Sequence, residues 1–356
     1  METSFSKIYK NKKVFITGDT GFKGSWLSIL LLELGAEVYG YALPAYTEKD
    51  NYIKCKLSDK YRHLDGDIRD REKFIKYVNE VKPDFMFHLA AQAIVLSSYT
   101  NPIETFETNL MGTVNFFEAV RQSSSVKVAV NVTSDKCYDN KEWIWGYREN
   151  EAMGGKDPYS ASKGGSEIIT NSYLHSFFNN TGINIASGRA GNVIGGGDWT
   201  EFRIVPDFFK AYLSNEKLVI RHPNATRPWQ FVLEPIFGYL SLGAALFEKG
   251  FEYSGGWNFG PQSNTHKTVS DLLFSLKNHD DFRNLIVEEI LNPLHEASYL
   301  KLDITKSSTH LAWKPVLNFE QTIDFTRNGY MDELMSPSNL YEKRVDQIKH
   351  YIKLGI

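Results

Sequence analysis

The sequence predicts an α/β fold: an open parallel sheet with helices on both faces, followed by a smaller C-terminal α/β domain. Three observations carry this. A strand-like run at residues 14–16 leads into glycines at 18, 21 and 24, and then into an amphipathic helix bearing Phe22, Trp26, Leu27, Leu30, Leu31 and Leu34. Strand-like and helix-like segments then alternate through the first half of the chain, the pattern of a parallel sheet built from βαβ units. Beyond residue 199 the alternation becomes irregular, with Pro228, Trp229, Phe231, Trp257 and Trp313 scattered among short segments. That part reads as a smaller unit closing over the sheet edge. The expected division is 1–188 and 189–356, with some interleaving of segments.

The first element is the most informative. Strand, glycine turn and helix together place a pyrophosphate at a helix N-terminus. Gly18 takes the tight turn, Gly21 lets the backbone approach the phosphates, and Gly24 permits close packing of helix on strand. Glycines also occur in plain strand-to-helix turns, so it is the surrounding alternation that favours a dinucleotide site.

The remaining elements follow in order. Residues 37–43 form the second strand. The chain turns at Asp67-Ile68-Arg69-Asp70 into a helix with Phe74, Ile75 and Val78 inward. Residues 84–89 form a strand entering His88-Leu89-Ala90-Ala91-Gln92, and residues 101–121 a long helix. The nearly all-apolar strand 126–132 ends in Thr133-Ser134-Asp135-Lys136-Cys137-Tyr138. Its polar residues therefore sit at the carboxyl end of the sheet, where open parallel sheets bind ligands. Pro158 suits the first turn of a helix running to about residue 178. Residues 183–189 form another strand, closing on Ala190-Gly191-Asn192 and the glycines that follow.

Composition narrows the function. The 356 residues are 42% hydrophobic and 23% charged, as in an ordinary globular protein. A net charge of −3 supplies no basic field, so no nucleic-acid partner is expected. No apolar run reaches membrane-spanning length and the first residues lack a signal-peptide core, which predicts a cytoplasmic protein without a membrane partner. Cys55 and Cys137 are too few for a disulfide framework, and the nine histidines fall in no ligand spacing, so no metal is expected.

Tyr159 and Lys163 stand four apart on the helix that begins at Pro158, so a phenol and an ammonium share one face. A cation one turn away favours the phenolate and is expected to lower the tyrosine pKa. The same spacing in Tyr9–Lys13 and Tyr52–Lys56 has no such context. TGxxGFxG, GDIRD, HLAAQ, a Thr-Ser-Asp strand end and YxxxK, taken together, resemble the extended short-chain dehydrogenase/reductases that act on nucleotide sugars. Arg189-Ala-Gly-Asn-Val-Ile-Gly, Arg227-Pro-Trp-Gln and Leu311-Ala-Trp-Lys-Pro extend the likeness over essentially the whole chain. Within that family the block around Ser134-Asp135-Lys136 resembles the CDP-glucose 4,6-dehydratases. The Asp-Lys pair also resembles dehydratases of UDP-N-acetylglucosamine, and UDP- or dTDP-hexoses remain alternatives. So does a non-catalytic relative that senses a dinucleotide.

The resemblance implies a Rossmann-type doubly wound sheet, NAD as cofactor, and a homodimer or dimer of dimers. It implies hydride transfer to NAD from carbon 4 of the hexose, loss of water across carbons 5 and 6, and hydride return to carbon 6. Tyr159 takes the 4-hydroxyl proton, Lys163 holds the nicotinamide ribose, and Ser134 binds the 4-oxygen. Asp135 is the acid and Lys136 the base of the elimination. Gly18, Thr20, Gly21, Phe22, Lys23 and Gly24 would hold the cofactor. Asp67 and Ile68 would flank the adenine, although Asp67 could equally cap a helix. Leu89, Ala90 and Ala91 would line the nicotinamide side, with Asn109 and Thr133 behind them. Asn192 and Arg227 would reach the substrate diphosphate. His88 reads as a packing histidine. Dimer faces are expected at Phe106, Met111, Phe116 or Phe117, and at Ile168, Ile169 and Tyr173. Two features depart from the family: the second strand ends Gly40-Tyr41-Ala42-Leu43 with no carboxylate for the ribose, and Leu96-Ser97 replace a more polar pair.

Overall fold

Strands that are covered on both faces read as continuous apolar runs, and the central strands here do so. Phe85–His88 and Val128–Val132 are buried at every position. The computed structural model describes residues 5–262, 267–278, 282, 285–290 and 299–355. Its main sheet holds β1 (Lys13–Thr17), β2 (Glu37–Ala42), β3 (Arg62–Asp65), β4 (Phe85–His88), β5 (Val128–Val132), β6 (Asn184–Ala190) and β7 (Gly255–Phe259). The order is β7-β6-β5-β4-β1-β2-β3 with every pairing parallel. This is the predicted doubly wound fold. Chain order reverses between β1 and β4, and such a switch point opens a crevice at the strands' carboxyl ends. β7 comes from the later part of the chain, pairing in register with β6 from Gly255↔Ala186 to Phe259↔Ala190.

Helices cover both faces: α1 (Phe22–Glu33), α2 (Arg71–Val81), α3 (Gly112–Gln122), α4 (Pro158–Tyr173), α5 (Ile204–Ser214), α6 (Leu233–Lys249), α7 (Val269–Lys277), α8 (Phe319–Met335) and α9 (Leu340–Lys353). Trp26, Leu30, Phe237, Leu240 and Tyr351 join α1, α6 and α9 to one face of the sheet. Phe74, Tyr77, Phe116 and Phe117 join α2 and α3 to the other. Trp199, Phe208, Phe209, Leu272 and Tyr330 form a separate hydrophobic core in the later part of the chain. The expected dimer face is corrected at Phe116 and Phe117, which are fully buried against the sheet, while Met111 and Ile168 are exposed. The apolar side chains exposed on these helical segments are Ile103, Met111, Ile168 and Phe177. The long helix expected at 101–121 is interrupted: Pro102–Phe106 passes through a π turn, Glu107–Met111, before α3.

The C-terminal helices clamp the start of the fold. Arg344 donates through Nε to Asn51 Oδ1 at 2.9 Å and through Nη1 to the Gly329 carbonyl at 2.9 Å, and pairs with Glu333. Glu234, in the first turn of α6, is buried and accepts from the Leu317 N–H at 2.8 Å and the Tyr351 hydroxyl at 2.7 Å. Burial nevertheless pushes its pKa up to about 7, with the hydrogen bonds from Tyr351, Leu317 and Val316 opposing. The folded chain therefore holds a proton that the unfolded chain releases near the ordinary value of about 4.3. Stability from this group is complete below that value and is lost as pH rises toward the folded pKa. Glu234→Gln should flatten that decline. Thermal denaturation of both proteins between about pH 4.5 and 7.5 checks it, the difference in melting temperature shrinking in the variant's favour as pH rises.

Candidate active site

The glycine turn sets the geometry of the cleft. Gly18 has φ of +75°, and a Cβ there would lie 2.7 Å from the Ala90 nitrogen. A Cβ on Gly24 would collide with the Gly18 carbonyl oxygen, so helix α1 and the turn touch backbone to backbone. Gly21 is the N-cap of α1 and no side chain caps it. The first-turn N–H groups are thus left for an anion, and this cradle fits a dinucleotide pyrophosphate. Asp19 anchors the turn from behind. It is fully buried, with the Tyr61 hydroxyl donating at 2.9 Å and His63 Nδ1 at 2.7 Å. Gly40 on β2 leaves the space its carboxylate occupies.

A cleft of about 780 Å³ runs along the carboxyl ends of the strands. It is lined by the turn (Gly18, Thr20, Gly21, Phe22, Lys23 and Gly24) and by Asp67 and Ile68 beyond β3. Leu89, Ala90 and Ala91 follow, then Thr133, Ser134, Asp135, Lys136, Tyr159 and Lys163. Asn192, Arg227 and Trp229 also line it. Asn109 is the predicted site residue that does not line it. Held in the π turn, it accepts from the Gln92 N–H at 2.9 Å and donates to Ser162 Oγ at 2.8 Å. It fixes the wall from behind. Asp67 is not the cap of α2; Asp70 is, accepting from the Lys73 N–H at 3.1 Å. Asp67 instead pairs with Arg69, at 2.6 Å to Nη2.

Beyond β5 the chain makes a short 3-10 turn, Asp135–Cys137, which directs consecutive polar side chains into the cleft. Ser134 Oγ donates to Asp135 Oδ1 at 2.9 Å and accepts from the Lys136 N–H at 3.2 Å. Asp135 is 2% exposed, and its Oδ2 has no hydrogen-bond partner among the described residues. Burial raises its pKa, opposed by Lys136, Ser134, Arg227 and Lys23. That suits a carboxylic acid that must hold a proton until it is needed. Burial pushes the Tyr159 phenol up to about 12, with the Ser134 hydrogen bond and Arg203 pulling down. The expected lowering of the phenol is therefore corrected: desolvation, with Asp135 and Asp157, outweighs the Ser134 hydrogen bond and Arg203. Lys163 itself is pushed down to about 8 by burial, against Glu167 and Cys137. Lys23 falls to about 7, through burial first and then Arg203 and Lys163.

His88 lies 2.7 Å through Nδ1 from the Thr17 hydroxyl and stacks on Phe116. Burial pushes it down to about 3, so it is neutral and structural, as expected. The sequence reading missed Arg203, whose Nη1 donates to Asp198 at 2.9 Å within the cleft wall. It also missed the buried pair of Glu167 with Arg189, at 2.7 Å. Asp198 lies in the glycine-rich segment the sequence singled out, but its partner did not stand out. Among the described residues no cluster of metal-ligating side chains occurs and no helix is long and apolar enough to cross a membrane.

Residues 15–326 match the GDP-mannose 4,6 dehydratase family. The chain belongs to that family. Among curated relatives, it is 48% identical over 323 residues to the CDP-glucose 4,6-dehydratase of Salmonella typhimurium, covering 89% of each. It is 27% identical over 334 residues to a probable dTDP-glucose 4,6-dehydratase of Sinorhizobium fredii, covering 90% of this chain and 93% of the relative. The same fold is found in an epimerase of Methanothermobacter thermautotrophicus (TM-score 0.79, 22% identity, 95% and 96% of the two chains). It also occurs in a dTDP-glucose 4,6-dehydratase of Bacillus anthracis solved with NAD (TM-score 0.75, 21% identity, 91% and 98%). If the glycine turn is as tightly packed as its contacts indicate, Gly24→Ala should lower stability by about 1–3 kcal/mol. It should also weaken NAD binding. Urea denaturation and tryptophan-fluorescence titration check both; unchanged values would mean that the turn has room to spare.

Proposed function

We propose that this protein is an NAD-dependent lyase that converts CDP-glucose to CDP-4-keto-6-deoxyglucose. The observation that carries this is the convergence of Tyr159, Lys163, Ser134, a buried Asp135 and the amine of Lys136 in the cleft that the glycine turn opens. The 48% identity to a CDP-glucose 4,6-dehydratase supports the choice of nucleotide.

Gly18, Thr20, Gly21 and Phe22 would hold the pyrophosphate of NAD, Asp67 and Ile68 would flank its adenine, and Leu89 to Ala91 would face the nicotinamide. Bound NAD supplies the hydride acceptor for carbon 4 and the hydride donor for carbon 6, and in its oxidised form a positive charge. Tyr159 takes the proton of the 4-hydroxyl as the carbon becomes a ketone, and Ser134 hydrogen-bonds the 4-oxygen. Lys163 keeps a cation beside the phenol. The new ketone acidifies the hydrogen on carbon 5, which Lys136 removes while Asp135 protonates the departing 6-hydroxyl. The raised pKa and open Oδ2 of Asp135 support that reading. Arg227 and Asn192 would hold the substrate diphosphate.

One observation favours a second assignment of the base. Lys23 is a half-buried lysine lining the cleft, its pKa pushed down to about 7 chiefly by desolvation, and close enough to Asp135 to feel its charge. Separating the steps decides between the two lysines. Each variant is mixed with substrate in deuterated water, and reduced-cofactor absorbance and deuterium at carbon 5 are followed together. Lys136→Ala should reduce the cofactor yet place no deuterium on carbon 5; Tyr159→Phe should fail before cofactor reduction. Carbon-5 labelling by Lys136→Ala at the wild-type rate, with its loss in Lys23→Ala, would transfer the role to Lys23. Parallel incubations with CDP-, dTDP- and UDP-glucose, scored for the alkali-absorbing ketone, test the nucleotide. A protein that binds NAD and leaves all three unchanged would be a sensor instead.

A further inference from the structure

Glu167 does not line the cleft, yet it touches most of what holds the cleft in shape. Its side chain is 4% exposed. Oε1 accepts from the Thr133 hydroxyl, and Oε2 accepts from Ser187 Oγ and from Arg189 Nη2, both at 2.7 Å. Arg189 passes the contact on, donating through Nη1 to the Tyr138 hydroxyl at 2.7 Å and to the Glu149 carbonyl at 3.1 Å. Tyr138 in turn donates to Asn258 Oδ1 at 2.7 Å. One carboxylate thus ties the end of β5 to β6, β7 and the loop before α4. It also stands four residues after Lys163 on α4, so the two share a helix face one turn apart.

Such an arrangement calls for a reason. Buried ion pairs are costly to desolvate, and apolar side chains of similar volume often stabilise a core as well or better. We propose that Glu167 is a positioning residue: it sets the strand end that presents Ser134 and Asp135 by holding Thr133, and it keeps Lys163 in its cationic form. The inference rests on the roles given above to Lys163 and Ser134.

The electrostatics agree with the geometry. Burial favours a neutral Glu167, but Arg189 together with the Thr133 and Ser187 hydrogen bonds holds its pKa below the ordinary carboxylate range. The carboxylate is therefore charged at neutral pH. Lys163 is faced by Tyr159 and Glu167 from its own helix, Cys137 from the turn after β5, neutral His88 from β4, and Lys23 from α1. Of these, Glu167 contributes most to holding the Lys163 pKa up against burial. Removing its charge should let the amine lose its proton at lower pH.

The test is competitive acetylation of Lys163 with acetic anhydride across a pH series, read by peptide mass spectrometry, which needs no sugar nucleotide. It therefore fails or succeeds independently of the nucleotide assignment. In Glu167→Gln, Lys163 should titrate about one pH unit or more below its wild-type value. Glu167→Asp should restore most of the difference. If Glu167→Gln strands Arg189 and does not fold, the double variant Glu167→Gln/Arg189→Met removes both charges and should shift Lys163 in the same direction by less, since the paired cation goes too. Thr133→Val isolates the other arm: Lys163 should titrate as in wild type, while cofactor reduction by substrate slows by about tenfold or more, with KM little changed. A folded Glu167→Gln whose Lys163 titrates as in wild type would overturn the electrostatic role. Wild-type kinetics in Thr133→Val would overturn the positioning role.

Discussion

Lys23, Asp135, Tyr159 and Lys163 are all withdrawn from water around the carboxyl end of β5, and each moves toward its neutral form. The lysines fall and the carboxyl and phenol rise, as desolvation requires. The shift helps Asp135 hold a proton but opposes the phenolate of Tyr159, so the phenol needs a positive charge beside it to act as a base. In water, a carboxyl and an amine would be ionised in opposite senses and poorly matched as acid and base. Here Asp135 holds its proton more readily, and Lys23, pushed down to about 7, comes within reach of the neutral form near physiological pH, while Lys163 at about 8 stays mostly cationic. Glu167 is the exception, kept charged by Arg189, and so supplies a fixed negative charge behind a site that otherwise resists charge.

The fold delivers these groups through backbone contacts that few residues permit. Gly24 lets α1 rest against the Gly18 carbonyl, and Gly18 lets the turn approach Ala90 across the switch point between β1 and β4. The π turn at Glu107–Met111 contains Asn109, which bridges the Gln92 backbone and Ser162 on α4. The strand end at β4 and the helix carrying Tyr159 are thereby held to one another. β7, the most distant strand in sequence, completes the arrangement by pairing with β6, which carries Arg189.

What was legible in the sequence was what local pattern encodes. The glycine turn, the apolar central strands and the Tyr159–Lys163 spacing each depend on residues within a turn or two of one another, and their positions agree with the structure. The roles proposed for Asp135 and Lys136 come through resemblance alone, since nothing local distinguishes an acid and a base from a solvated pair. The Glu167–Arg189 pair and the Asp19–Tyr61–His63 cluster were not legible, because each joins side chains on different elements through burial alone. Phe116 and Phe117 look like exposed faces on a helical wheel, and only packing of α3 on the sheet shows them buried. The direction of the Tyr159 shift was misjudged for the same reason. A charge can be read from sequence, whereas the depth of water exclusion that opposes it depends on the whole fold.

Every proposed role serves one event: the hydrogen removed from carbon 4 is carried within the cleft and returned to carbon 6 of the same sugar. CDP-glucose bearing both deuterium at carbon 4 and carbon-13 throughout the hexose, mixed with an equal amount of unlabelled substrate, tests this most directly. Mass spectrometry and NMR should find the deuterium in the carbon-6 methyl group of the carbon-13 product alone; its appearance in the unlabelled sugar would show transfer between molecules. Loss of the label to solvent, or a product that keeps its 6-hydroxyl, would contradict it.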